Sequence, residues 1–378
     1  MLKIYTGWLL LVIGTFLAAF ITRKSRQGKP LLRLSYGLFL LLVLEGGCVL
    51  FYFYYTGTWT FRGRENYNIE FFEADPYLVA TPKPNLKLSF NGKVITHNAE
   101  GFRGPVAETP KSKVRIAVVG GSTSYGVGVN DWETWPHYLD SLLPDSFEVL
   151  NFGIPGHNSV EHVVFSGLHL PTYQPDYVIV HAGLNDLQSS FVAGLERDQS
   201  NFHEPNLRLG LGQSYRNRLP PLAMLKSVVI GLQELDLYPT SSYYQQYKSW
   251  SDTTANLALE SYAQNLHTLV ALIKGMGAQP IFVPQLLHAE AIANDQLAWW
   301  VPFVPEEEML STLGHFNRAM EAEARQSEAV FARQIVAHPW TVRDFADPSH
   351  LNGAANLQFA QLLLPIWAPT NAVPDGLP

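Results

Sequence analysis

The 378-residue chain carries a formal net charge of −7, with only 16% charged residues against 47% hydrophobic ones. An acidic balance with no basic stripe in the large C-terminal part argues against a nucleic-acid partner, and so low a charged fraction calls for a large core or segments held out of water. Cys48 is the single cysteine, which excludes an internal disulfide.

Ile4 to Thr22 carries no charge and is mostly apolar; Leu34 to Tyr55 is a second such run, interrupted only by Glu45. Each has about the length of a bilayer-spanning helix, roughly 17–25 residues. Residues 1–57 therefore read as a transmembrane hairpin with helices at about 4–22 and 34–55. Arg23, Lys24, Arg26, Lys29 and Arg33 crowd the connection. Short basic loops stay cytoplasmic, so the rest of the chain is expected on the periplasmic or outer side of the cytoplasmic membrane. Phe51 to Tyr55 and Trp59 suit the outer membrane–water boundary. The alternative for the first run is a cleaved signal peptide, but no A-x-A-like site follows it. Glu45, beside Gly46 and Gly47, is a candidate contact with another membrane protein, because a mid-span charge seeks a partner and small residues allow close helix packing. Its plainer reading is an interfacial or protonated glutamate with no task. Membrane lipid is the partner the hairpin implies.

Residues 58–113 read as an extended, aromatic, proline-containing approach segment, with Asn98 to Gly104 as a turn packed against the main domain. Regular strand–helix alternation begins at Val114 and defines a domain over 114–368. Strands are expected at 114–119, Phe147 to Phe152, Tyr177 to Ala182 and Pro280 to Pro284. Helical patterns cover Thr134 to Leu143, Ser159 to Leu170, Thr254 to Met276, about Pro305 to Gln326, and Gly353 to Leu364. The longest has Leu257, Leu259, Tyr262, Leu266, Leu269, Val270 and Ile273 as its apolar face, and Gly275 and Gly277 as stop signals. Such alternation predicts an α/β fold with a parallel sheet and helices on both faces. Residues 188–253 interrupt the rhythm as an insertion, with one helical piece near Leu222 to Leu235. It is either a lid or binding surface, or a decoration of the lineage.

Four short motifs lie at strand ends or in the C-terminal loop. Gly120-Gly121-Ser122 follows the first strand; alone, such a serine is either a helix cap or a nucleophile. It is neither a G-x-S-x-G elbow nor a P-loop. Gly156, in the loop after the second strand, can aim its N–H at a substrate oxygen or serve only as a turn. Asn185, in Gly183-Leu184-Asn185-Asp186, can donate to a developing oxyanion or cap the next helix. Asp347-Pro348-Ser349-His350 spaces a carboxylate three residues before a histidine, which suits an acid that holds an imidazole in one tautomer or a plain polar loop. The remaining histidines show no paired ligand spacing, so neither a metal nor another cofactor is expected.

In order and context, these four blocks resemble the SGNH hydrolases, also called the GDSL esterase/lipase superfamily. The resemblance covers about 114–365. It implies a three-layer α/β/α, flavodoxin-like parallel sheet following the transmembrane hairpin. It further implies Ser122 as nucleophile, His350 as general base and acid, and Asp347 as its orienting partner. Ser122 N–H, Gly156 N–H and the Asn185 side chain would form the oxyanion hole. Gly121 departs from the signature, which has Asp there and not as the triad acid. The expected activity is a membrane-anchored serine hydrolase of carboxylic esters, working through an acyl-serine on a cell-envelope glycan or lipid ester. An O-acyltransferase acting on surface polysaccharide with the same triad is one alternative; a non-catalytic SGNH-fold subunit of a membrane complex is the other.

Overall fold

The computed structural model describes residues 2–25, 27–56, 71–78, 80–90, 92–192, 194–200, 202, 252–294 and 304–367. The chain divides into two units, one containing the N-terminal helices and one containing the α/β domain from Phe71 onward.

In the first unit, α1 (Leu2–Ile21) and α2 (Gly28–Thr56) pack together, with Phe16 and Tyr36 edge to face at 5.6 Å. Among the described residues one stretch, Gly28–Leu50, is long and apolar enough to cross a membrane; α1 contributes the shorter apolar run Leu9–Ile21. The second helix starts six residues before the apolar run at Leu34, taking in Lys29, Pro30 and Arg33. Proline is compatible with a first helical turn, where no intrahelical N–H bond is lost. Leu10, Ile21, Leu40 and Leu50 point outward, each more than 60% exposed, whereas Ser35 and Glu45 are buried.

The second unit opens with two antiparallel hairpins, β1 (Phe72–Ala74) with β2 (Ala80–Pro82) and β3 (Lys87–Phe90) with β4 (Lys93–Thr96). The expected extended segment is thus partly sheet, and residues 58–70 of it lie outside the described residues. Phe102 follows and sets its ring edge-on to Phe152 at 4.8 Å.

The main sheet comprises β5 (Val114–Gly120), β6 (Phe147–Gly153), β7 (Tyr177–His181), β8 (Gln279–Phe282) and β9 (Val330–Phe331). All pairings are parallel and the spatial order is β6-β5-β7-β8-β9. That is the flavodoxin-like order, whose reversal of winding opens a crevice at the carboxyl ends of the strands. The sequence pattern missed β9 because two residues between Glu328 and Arg333 carry no strand signature.

Helices α3 (Ser122–Tyr125), α4 (Trp135–Leu142), α5 (Ser159–Leu168), α6 (Leu184–Ser189), α7 (Asp252–Gly275), α8 (Ala289–Asn294), α9 (Glu306–Gln326), α10 (Gln334–Ala337) and α11 (Gly353–Leu363) complete the domain. Residues alternate faces along a strand. Ile116, Val118, Ile179 and Ile281 therefore meet α4 and α11 through Trp135, Leu139, Phe359 and Leu363 in one buried cluster. On the other side α7 packs against α5 and α9. Of the insertion, the start is described: Phe191, Leu195 and Phe202 are buried, and Asn158 donates to Gln199 at 2.7 Å. The helical piece near Leu222 to Leu235 lies outside the described residues.

Phe359 is 1% exposed and packs on Trp135 at 5.2 Å. Phe359→Ala is expected to cost about 3–5 kcal/mol, read as a lower denaturation midpoint of the purified protein.

Candidate active site

The site begins with the register of the sheet. Gly120 at the end of β5 lies opposite Gly153 of β6 and His181 of β7, so three loops leave at one level. Gly121 then caps α3, a single turn whose first residue is Ser122, and Gly126 closes it in the left-handed region at φ 84°. The first N–H groups of a helix have no intrahelical acceptor, so Ser122 N–H is open to another oxygen. Side chains behind Ser122 fasten the turn. Ser124 Oγ bonds His181 Nδ1 at 2.9 Å, and Asn151 Nδ2 donates to Ser124 O at 2.9 Å. Thr123 Oγ1 donates to Gln285 Oε1 at 3.2 Å, and Gln285 Nε2 donates to His181 O at 2.8 Å. Burial lowers the His181 pKa to about 3, so its ring is neutral and serves as a strut.

The loops after β6 and β7 supply the other donors. Gly156 is exposed, with φ +87°, a conformation that L side chains rarely adopt. Asn185 Nδ2 donates to the His157 carbonyl at 2.7 Å. That bond fixes which way the amide points, and its second N–H remains for a substrate oxygen. His157 Nε2 in turn meets Ala80 O at 2.9 Å, tying the loop to β2. Asp186 joins the two loops by accepting from Gly183 N at 3.2 Å, from Ser159 N at 3.1 Å and from the Ser159 hydroxyl. Burial raises its carboxyl to about 6 against these hydrogen bonds.

The loop before α11 contributes the remaining pair. His350 Nδ1 lies 2.6 Å from Asp347 Oδ2, while Asp347 Oδ1 accepts from Ser349 N and His350 N, both at 2.9 Å. Burial pushes the Asp347 carboxyl up, but attraction to His350 and these hydrogen bonds prevail and hold it at about 2. An ionised carboxylate at Nδ1 places the ring proton there and leaves Nε2 as the base. His350 Nε2 is shielded and has no hydrogen-bond partner among the described residues. Hence no hydrogen bond joins it to Ser122; catalytic hydrogen bonds often tighten only when substrate binds. Thr123 and Ser349, the neighbours of Ser122 and His350, line one cavity of about 10 Å³. Among the described residues no group of three or more His, Cys, Asp or Glu could hold a metal ion.

Residues 118–356, well over half of the chain, match the GDSL-like Lipase/Acylhydrolase family. The chain belongs to this family. No curated protein matches it. Among solved structures, TesA is similar at 16% identity and a TM-score of 0.40, covering 68% of this chain and 98% of that one. A catalytic mutant of Axe2, an acetylxylan esterase from Geobacillus stearothermophilus, is similar at 14% identity and 0.40, covering 68% and 95%. A lipase/acylhydrolase from Enterococcus faecalis follows at 12% and 0.39, covering 66% and 93%. Membership rests on the family match.

Within this GDSL-like family member, position 121, where the signature has Asp, is closely hemmed in. A Cβ on Gly121 would stand 2.6 Å from Asn185 Nδ2 and 3.3 Å from His157 O. Any side chain there must displace the amide. Sequence reasoning passed over Asp186, Gln285 and His181 as parts of the site, while His157, beside Gly156, was expected to line the pocket. Asp186 stood in the same block as Asn185; Gln285 carried no signal beyond its place after a strand.

Two outcomes follow for the measured protein. Gly121→Ala should move Asn185 and lower kcat of ester turnover about 10²–10³-fold, as loss of an oxyanion donor does. The Asp347 carboxyl is depressed from 3.8 to about 2. It therefore adds stability above its unfolded pKa, and that contribution is lost as pH falls through the folded value. Asp347→Asn should flatten the acid limb of a stability-against-pH curve across that window; an unchanged curve would count against the pair.

Proposed function

We propose that the protein is a serine esterase in which Ser122, His350 and Asp347 form the triad. The observation that carries this reading is the Asp347–His350 pair, bonded through Nδ1 at 2.6 Å with a shielded and unpartnered Nε2. Ser122 Oγ attacks the acyl carbon while His350 Nε2 takes its proton. Charge moves onto the carbonyl oxygen, where Ser122 N–H, Gly156 N–H and Asn185 Nδ2 would receive it. As the carbon–oxygen bond to the alcohol breaks, His350 returns the proton to the leaving alkoxide. Water, deprotonated by His350, then attacks the acyl-serine and releases the acid and Ser122.

The reading extends to location. The outward-facing leucines of the helical hairpin and the length of Gly28–Leu50 support anchoring in a membrane. The basic residues Arg23, Lys24 and Lys29 support a cytoplasmic connection, with the α/β domain on the extracytoplasmic side of the cytoplasmic membrane. A substrate ester on a cell-envelope glycan or lipid fits that placement. Transfer of the acyl group to a sugar hydroxyl would use the same acyl-serine, with the sugar in place of water.

Purified protein is expected to hydrolyse p-nitrophenyl acetate, and Ser122→Ala to lower kcat by at least about 10³-fold. His350→Ala should abolish labelling of Ser122 by a fluorophosphonate. Turnover that survives Ser122→Ala would sink the triad; acyl transfer to an oligosaccharide outrunning hydrolysis would convert the esterase into an acyltransferase. Alkaline phosphatase fused after Thr60 should be active, and an inactive fusion would reverse the topology.

A further inference from the structure

Arg103 lies upstream of residues 118–356, which carry the family match, yet it reaches the turn that bears Ser122. Its side chain is 1% exposed and pairs with Asp131 at 2.7 Å. Nη1 donates to Tyr125 O at 3.0 Å and to Gly126 O at 2.7 Å, and Nη2 donates to Val129 O at 3.1 Å. The guanidinium also lies over the Tyr125 ring at 5.0 Å. Other residues of the same segment reinforce it. Thr96 Oγ1 donates to Asp131 Oδ2 at 2.7 Å, and His97 Nε2 meets the Tyr125 hydroxyl at 2.7 Å.

These contacts matter because α3 is one turn long. A single turn gains nothing from helical cooperativity and holds its shape through what grips it from outside. Tyr125 N donates to Gly121 O at 3.0 Å and Gly126 N to Ser122 O at 2.9 Å, closing the turn, while the carbonyls of Tyr125 and Gly126 belong to Arg103. Arg103 is therefore the clamp at the far end of the turn, opposite Ser122. A planar fork with five donors suits several carbonyls at once; an ammonium does not.

We propose that Arg103 is a positioning residue of the reaction: by gripping the end of α3 it holds the Ser122 hydroxyl at the attack geometry. The segment before the family's own region is then a working part of the active site. This rests on Ser122 being the nucleophile. Arg115 supplies the control. It is equally buried, bonds Glu148 at 2.6 Å and donates to Glu108 O at 2.7 Å, but sits at the start of β5, the end of the strand remote from Ser122.

The full-length protein and its Arg103→Met, Arg103→Lys, Arg115→Met and Ser122→Ala variants are compared on p-nitrophenyl acetate, well below each melting midpoint and per folded molecule. Arg103→Met should lower kcat about 10–100-fold with KM within about threefold, since a small misplacement of a nucleophile costs rate and not binding. Arg103→Lys should recover part of the loss. Arg115→Met should lower the melting midpoint and leave kcat within about twofold. If Arg103→Met does not fold, Arg103→Lys decides alone: reduced kcat at steady KM supports the clamp, and unchanged kcat overturns it. An Arg103→Met enzyme with kcat near wild type, or a loss matched by Arg115→Met, also overturns it. Turnover surviving Ser122→Ala would instead remove the nucleophile assignment, and the clamp with it.

Discussion

Parallel pairing makes β5, β6 and β7 release their chains on the same side of the sheet, and the register makes them do so at the same level. Gly120 is the neighbour of both Gly153 and His181. Everything the site needs from three distant stretches of sequence depends on that alignment. A slip of one residue in β7 would turn Ile179 away from the helices it packs on and carry Asn185 away from Gly121. The packed faces of the strands thus guard the chemistry: hydrophobic burial fixes the register, and the register fixes the site.

The alignment brings the loops close, but polar side chains fit them together. Asp186 binds the loop after β6 to the loop after β7, Gln285 and His181 bind the Ser122 turn to the strands beside it, and Asn185 rests against Gly121 and the His157 carbonyl. Nearly all of these atoms are buried, where an unmet donor or acceptor is costly. Such a network tolerates little local change: a Cβ at Gly121 would already press on the Asn185 amide.

Much of this could be read in the chain. The buried strands announce themselves because both faces are covered, so Ile116 to Val119 and Val178 to Val180 are continuous apolar runs. The four motifs sit at strand ends, as an α/β site requires. What escaped has physical reasons. β9 has two residues and borrows its strand character from β8. The hairpins before Val114 are short and mixed in polarity, and their role lies in partners such as Asp131 and Tyr125 that no periodicity reveals. Gln285 acts through contacts with residues far away in sequence. The helical hairpin shows the reverse: its composition was plain, but α2 begins earlier than its apolar run, because the peptide backbone continues the helix through charged residues that hydropathy would leave out.

The two halves of the proposed triad differ in how they are made. Asp347 and His350 stand three residues apart, so their bond closes a loop of trivial entropy and needs only its own turn. Gly121, beside Ser122, and Asn185 come together only after strands, helices and register are in place. The Asp347–His350 pair is therefore a local module, assembled by its own few residues, while the proposed nucleophile and oxyanion donors depend on the whole topology. On the proposed assignment, a chain whose sheet was incomplete would hold the histidine–aspartate pair without a correctly placed serine, and hydrolysis would require the finished domain.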